Sequence, residues 1–152
     1  MEEAKAIRTL ILDTNVLISS LVRLEGITRV SLTILLHDEN CEVLAPADLV
    51  EELRTHAQEI CHKASITRSL LEETLDRLLE NVELALLSSY RRKLQEALQF
   101  VRDESDAPFA ALALMRSPST IITYNKKHFN SRRLLRQQVQ VLTPVEALSK
   151  LR

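Results

Sequence analysis

The feature that most constrains this chain is a short aliphatic run ending in a carboxylate. Leu10-Ile11-Leu12 is followed directly by Asp13-Thr14-Asn15, a pattern typical of a short buried strand that carries a charge at its carboxyl end. Ligands bind beyond the carboxyl ends of the strands in open α/β sheets, so Asp13 would stand at a binding edge. The alternative is that Asp13 only caps the next helix, a position that Asp favours.

Composition excludes several classes of protein. The chain has 152 residues, of which 45% are hydrophobic and 27% charged, which fits one globular domain spanning residues 1–152. A single glycine rules out glycine-rich phosphate loops. The net charge of −1 gives no overall attraction to nucleic acid, so any such site needs local basic patches.

Cysteine spacing and hydropathy point to the cytoplasm. Cys41 and Cys61 lie far apart without a zinc-type spacing, and we expect two thiols in a reducing compartment. No apolar run is long enough for a membrane span, and the first residues lack a secretory apolar segment. We therefore expect a cytoplasmic protein with no membrane contact.

Strand and helix patterns alternate along the chain. We predict strands over 7–12, 42–45, 82–86, 120–123 and 139–142. We predict helices over 16–23, 27–37, 47–60, 67–80, 89–102, 107–115 and 144–151. This alternation favours an α/β fold, a mainly parallel sheet with helices on both faces.

Several finer features follow from the same patterns. Gly26 is expected to end the first helix as a left-handed cap, and Leu24 is available for packing. Ser69 and Glu72 have the spacing of a capping box. Pro108 fits the first turn of its helix, where a missing amide proton costs nothing.

The helix predicted over 47–60 carries an apolar stripe at helical spacing. Glu52 lies at the edge of that stripe, and His56 shares its flank. Glu51 points away from the stripe, as a surface carboxylate does. Glu52 is therefore the better placed of the two glutamates to reach a cleft beside the core.

Four carboxylates occur at strand ends or helix starts: Asp13, Glu52, Asp103 and Asp106. If they converge they repel one another, and such a cluster stays ionised only with a cation among its members. Oxygen donors favour Mg²⁺ or Mn²⁺. For Asp103 and Asp106, helix capping is again the alternative.

The order of four motifs resembles that of PIN-domain nucleases. The motifs are LDTNVLI (12–18), PADLVEEL (46–53), DESDAPFAALA (103–113) and ITYNKKHF (122–129). The resemblance extends from about Thr9 to Val145. It implies a three-layer α/β/α fold around a five-stranded sheet and a metal-dependent endoribonuclease. It also implies an acidic site at the four carboxylates, with Asn15, Thr123 and Asn125 beside it to orient a ligand or water.

The fourth motif resembles that of a subgroup similar to toxin–antitoxin toxins. That subgroup has Thr-aromatic-Asn followed by Asp-Phe, and this chain has Thr123-Tyr124-Asn125 followed by His128-Phe129. His128 thus replaces a carboxylate, either as a surface loop residue or as part of the site. The resemblance further implies a small antitoxin partner and a homodimer formed through the helices over 27–37 and 67–80.

The chemistry expected of this set is hydrolysis of RNA phosphodiester bonds with Mg²⁺ or Mn²⁺. Local cations would hold the RNA. The candidates are Lys126, Lys127, Arg132, Arg133 and Arg136, while the run 91–93 is better explained as a solvated surface. Two rival functions remain: a haloacid-dehalogenase-like phosphatase with Asp13 as nucleophile, and a degenerate domain that only binds RNA or protein.

Overall fold

The first aliphatic run forms the middle strand of an all-parallel sheet. The computed structural model describes residues 6–23 and 25–151, and within them the strand order is β3-β2-β1-β4-β5. The strands are β1 (Arg8–Leu12), β2 (Cys41–Pro46), β3 (Glu83–Ala85), β4 (Ser119–Ile122) and β5 (Val139–Leu142). Leu10, Ile11 and Leu12 are each at most 1% exposed. Consecutive strand residues point to opposite faces, so both faces of the sheet are covered, as the three-layer prediction required.

The chain reverses its direction of winding at β1. It first crosses to β2 and β3 on one side, then returns to β4 and β5 on the other. Ligand crevices in open α/β sheets form at such a reversal, beyond the carboxyl ends of the two strands. Leu12 of β1 lies opposite Ile122 of β4, and therefore Asp13 and Thr123 emerge together at this edge.

Helices surround the sheet, and the described residues contain none long and apolar enough to cross a membrane. The α-helices are α1 (Thr14–Val22), α2 (Ile27–Leu36), α3 (Leu49–Thr55), α4 (Ala57–Ala64), α5 (Arg68–Leu79), α6 (Leu87–Tyr90), α7 (Leu94–Ala97), α8 (Ala107–Met115), α9 (Ser131–Arg136) and α10 (Pro144–Leu151). Short 3₁₀ turns lie at Arg91–Lys93, Leu98–Phe100, Glu104–Asp106 and Lys126–His128.

Helix α8 is the most deeply buried of these elements. It packs against β1, β2 and β4, and Ala110, Ala111 and Ala113 are fully buried along it. The small alanine side chain lets a helix approach a sheet closely. Pro108 lies in its first turn, as predicted. The helix therefore presents its amino terminus, with Asp106, near the ends of the central strands.

Gly26 does not end the first helix, and that prediction is wrong. It is the residue before α2, with φ −77°, while α1 ends at Val22 and is capped by Arg23. A Cβ at Gly26 would lie 3.1 Å from the Cβ of Arg23, so close packing of the chain, not a positive φ, explains the glycine. Leu24 lies outside the described residues.

Three helix predictions differ from the structure in detail. The helix predicted over 47–60 is broken at His56 into α3 and α4. The segment predicted as a helix over 89–102 is divided into short pieces. Its turn Arg91–Lys93 buries no side chain, so no apolar face runs unbroken through the segment to hold it as one helix. The cap of α5 is Thr67, whose side chain accepts from the N–H of Leu70 at 3.1 Å, and not the pair Ser69 and Glu72.

Candidate active site

Asp13 lies at the capping position of α1 without capping it. Its side chain makes no capping hydrogen bond to α1. Instead, Oδ2 accepts from Thr123 Oγ1 at 2.8 Å and from Asn15 Nδ2 at 3.0 Å. The residue is only 4% exposed. The helix-capping explanation of Asp13 is therefore wrong, and its carboxylate is held in the crevice between β1 and β4.

A small network fastens the loop after β4 to the loop after β1. Thr123 Oγ1 accepts from the backbone N–H of Asn125 at 3.0 Å. Asn15 Oδ1 accepts from the backbone N–H of Tyr124 at 3.1 Å, and the Tyr124 hydroxyl is hydrogen-bonded to Thr28. The three polar residues predicted beside the acidic site therefore meet there, with Asn125 bonded through its backbone.

The environment of Asp13 disfavours its charge. Burial raises its pKa to about 6 from an ordinary 3.8, the hydrogen bond from Thr123 opposes this rise, and the charges of Asp106 and Glu52 add to it. Carboxylates that repel one another through a low-dielectric region attract a cation. The structure therefore brings Asp13, Asp106 and Glu52 within electrostatic range of one another.

Asp106 has a buried oxygen without a well-formed hydrogen bond. The residue stands before the first residue of α8 and makes no capping bond, and its buried Oδ2 has only an ion-pair contact, with His128 Nδ1 at 3.3 Å, among the described residues. Burial raises its pKa, the nearby His128 opposes that rise, and Asp103 and Glu52 add to it. A buried acceptor without a donor is costly in a protein, and a cation is one partner that would satisfy it.

Asp103 does have a capping role. Its side chain accepts from the backbone N–H of Ser105 at 2.9 Å, and this backbone bond holds the pKa of Asp103 below its usual range. Asp103 therefore caps this turn, whereas Asp106 makes no capping bond. The turn Glu104–Asp106 that Asp103 caps sets the separation of the two aspartates.

Glu52 lies on α3, beside the site. It is exposed, and its charge is felt by both Asp13 and Asp106. Glu51 instead lies 3.8 Å from Arg54 at the surface, as predicted. His56, one turn after Glu52, is exposed and lies 3.6 Å from Glu59.

The donor types suit a hard divalent cation, although the side chains do not form a finished cage. Within residues 6–23 and 25–151, no three side chains of His, Cys, Asp or Glu lie close enough to share one ion. The buried Asp106 Oδ2, which makes no well-formed hydrogen bond to the described residues, and the raised pKa of Asp13 nevertheless fit a group that supplies positive charge. The carboxylates would have to draw together around it.

The predicted basic residues differ in availability. Lys126 Nζ lies 2.9 Å from Glu146 Oε1, and Arg133 donates to the carbonyl of Gln99 at 3.0 Å and stacks over the Phe100 ring. Lys127, Arg132 and Arg136 are exposed.

Sequence reasoning missed Glu146. Glu146 and Thr143 form a reciprocal capping box at the start of α10, which the Thr-Pro-Val-Glu spacing already signalled. The backbone bond from Thr143, together with Lys126, lowers the pKa of Glu146 to about 2.

Comparisons with known proteins agree with this architecture. The family model described as PIN domain matches residues 11–142. The solved structure of VapBC2 from Rickettsia felis bound to a DNA fragment from their promoter is 17% identical, with a TM-score of 0.60 over 88% of this chain and 96% of that chain. FitAcB from Neisseria gonorrhoeae is 20% identical, with a TM-score of 0.59 over 90% of this chain and 98% of that chain. No curated protein matches significantly. At these identities the structural likeness supports the fold alone. The family model shows the family, so this chain belongs to the PIN-domain family, the nuclease family that its motifs resemble.

Proposed function

We propose that this protein is a metal-dependent endoribonuclease and the toxin of a toxin–antitoxin pair. The observation that carries the proposal is the position of Asp13, buried at the sheet reversal and within electrostatic range of Asp106 and Glu52. Folding alone gives no reason to bury the Asp13 carboxylate within range of two further carboxylates, because burying a charge near like charges lowers stability. A function in cation binding accounts for them.

In this proposal Asp13, Glu52, Asp103 and Asp106 would hold Mg²⁺ or Mn²⁺. The bound cation would supply positive charge at the scissile phosphate and a lower pKa for the attacking water. Thr123 and Asn15 orient the Asp13 carboxylate through their hydrogen bonds, and such supporting bonds fix the geometry of a ligand. Burial of Asp13 keeps bulk water from one side of the site.

Lys127 and Arg132 are the better candidates for contacts with RNA phosphates. Both are exposed, whereas Lys126 and Arg133 are partly engaged by Glu146 and by Gln99 and Phe100. A lysine or arginine that is already paired within the protein contributes less binding free energy to a phosphate contact, because its existing contact must first be broken. The proposed binding path therefore leaves the acidic crevice along the loop after β4 and the start of α9.

The partner and assembly proposals have separate support. An antitoxin partner is supported by the fold shared with the VapBC2 and FitAcB structures, and a cytoplasmic location fits such a pair. A homodimer is supported by exposed apolar side chains on the two helices suggested by the sequence: Ile27 and Val30 on α2, and Leu70 on α5. Exposed apolar patches commonly mark such interfaces.

The decisive experiment is RNA cleavage by purified protein with and without Mg²⁺ or Mn²⁺. We expect metal-dependent cleavage that falls to background in Asp13→Asn and Asp106→Asn, because each change removes a ligand charge and little volume. Glu51→Gln is the matched control and should cleave like the parent, since Glu51 pairs with Arg54 at the surface. Equal cleavage by parent and both aspartate variants would refute the proposal.

A binding module without catalysis is the second candidate, because no three ligating side chains of the described residues lie together. Its signature would be RNA binding that persists in a protein incapable of cleavage with either ion. The haloacid-dehalogenase-like alternative loses its basis, since the family match covers residues 11–142. Hydrolysis of a small phosphate ester in place of RNA would restore it.

A further inference from the structure

We propose that His128 supplies an imidazole nitrogen to the metal site, so that this protein binds Mn²⁺ in preference to Mg²⁺. The inference rests on the proposed function, because it assigns a further ligand to the same cation site. It concerns the position where the fourth motif carries a histidine in place of a carboxylate.

The backbone fixes His128 beside the acidic segment. The carbonyl of His128 accepts from the N–H of Arg102, the residue before Asp103, at 2.9 Å. Val101 and Phe129 form an antiparallel bridge immediately alongside, and the N–H of Asn130 donates to the carbonyl of Phe100 at 2.7 Å. The loop that carries His128 is thus paired with the strand-like segment that leads into Asp103 and Asp106.

The side chain of His128 extends from this paired loop to the second aspartate. Its Nδ1 lies 3.3 Å from Asp106 Oδ2, the buried oxygen that makes no well-formed hydrogen bond within the described part of the chain. The ring is partly exposed, with 44% of its side-chain surface accessible. His128 therefore reaches the site from the solvent side, where an incoming ion and its waters would pass.

The separation of these two atoms matches two neighbouring ligands of one ion. Donors about 2.1 Å from an octahedral cation and at right angles to each other lie about 3 Å apart. Nδ1 of His128 and Oδ2 of Asp106 already have nearly this separation. A neutral imidazole has one nitrogen with a free lone pair, so in the tautomer that leaves Nδ1 unprotonated this atom would share a cation with Asp106 Oδ2.

An imidazole changes which cation such a site prefers. Mg²⁺ favours oxygen ligands in a strict octahedron, whereas a mixed nitrogen and oxygen site favours first-row transition ions, whose affinity for nitrogen is greater. Replacing a carboxylate by histidine also removes one negative charge from the site. Mg²⁺ binding depends mainly on that charge, so its affinity should decrease. Among the ions that carboxylates still bind well, Mn²⁺ accepts both donor types.

The test measures metal binding and does not depend on cleavage. Mn²⁺ and Mg²⁺ affinities are measured by calorimetry on the full chain, and the Mn²⁺ complex is examined by pulsed electron paramagnetic resonance for coupling to a nitrogen nucleus. We expect nitrogen coupling in the parent protein and its loss in His128→Asp. The preference for Mn²⁺ over Mg²⁺ should fall by about tenfold or more in that variant, at least the effect that changes around a metal site commonly have on metal affinity.

Two further variants separate the outcomes. His37→Ala, an exposed histidine at the end of α2, should retain both the coupling and the ion preference. Mn²⁺ binding that is lost in Asp13→Asn but shows no nitrogen coupling in the parent would overturn the assignment of His128 and leave the proposed function standing. An unchanged ion preference in His128→Asp would overturn it as well. Failure of the parent to bind either ion would refute both.

Discussion

Asp13 and Thr123 stand 110 positions apart in the sequence and are joined by a buried hydrogen bond of 2.8 Å. Each residue directly follows one of the two central strands, β1 and β4. The backbone N–H of Asp13 also donates to the carbonyl of Ile122 at 3.0 Å. This pair of strand ends therefore holds the most buried carboxylate of the site in place.

Thr123→Val tests the contribution of that bond. Valine keeps the shape of threonine and removes the hydroxyl donor, so the buried Asp13 oxygen loses a partner. We expect a loss of about 1–3 kcal/mol in the free energy of unfolding above pH 6 and a further rise in the pKa of Asp13, measured by urea unfolding across pH. Thr55→Val is the control, because its hydroxyl bonds only to the carbonyl of Glu51 on an exposed helix. Equal effects of the two variants would contradict the role given to Thr123.

The raised pKa of Asp13 predicts how stability depends on pH without metal. In the folded protein Asp13 keeps its proton up to about pH 6, whereas in the unfolded chain it loses its proton near its ordinary pKa of 3.8. Folding therefore takes up a proton between these two pH values. The free energy of unfolding should therefore decrease as pH rises through this window, by about 2 kcal/mol between about pH 4.5 and 7. It should decrease less in Asp13→Asn. Stability that rises with pH over this range would contradict the assignment.

A saturating divalent cation should reverse that trend. The cation binds the ionised carboxylates of the folded protein, so its stabilising effect should increase as pH rises through about 6. Thermal unfolding with and without Mn²⁺, at several pH values, measures the difference. A cation effect independent of pH, or equal in Asp13→Asn, would place the ion elsewhere.

The capping box at α10 provides a prediction about stability alone. Thr143→Ala removes the acceptor for the Glu146 N–H, and we expect a loss of about 1 kcal/mol. Glu146→Gln keeps an uncharged oxygen for the Thr143 N–H and loses the partly exposed ion pair with Lys126, so its loss should be smaller. Urea unfolding of both variants checks the order, and a larger loss for Glu146→Gln would show that the ion pair matters more than the cap.

The dimer proposal is tested by a charge on α2. Val30 is 49% exposed, and Val30→Glu should produce monomers if α2 lies in an interface of about 1,200 Å² or more. Light scattering at tens of micromolar measures the mass. Leu135→Glu, at an exposed residue of α9, is the control and should leave the mass unchanged. A parent protein that is already monomeric would contradict the proposal.

Local pattern was enough to predict much of this protein. The aliphatic runs of the central strands and the alanine-rich α8 are visible in the sequence because full burial demands continuous apolar residues. Helix α5 follows from its own apolar spacing. The order of the acidic motifs is enough to identify the family. It also predicts which carboxylates form the site: Asp13, Glu52, Asp103 and Asp106.

Other features depend on contacts between distant segments, and the sequence could not show them. The role of Gly26 cannot be predicted from sequence, because the nearby Arg23 side chain is what leaves little room for a Cβ there. The helix break at His56 has no glycine or proline beside it to indicate it. Asp103 caps a turn while Asp106 does not, although both have the same local setting. Pairing of the Val101 and Phe129 segments places His128 against Asp106. Sequence determined which side chains this protein has at its strand ends, and tertiary structure decided which of them meet, because the meeting depends on strand order and not on distance along the chain.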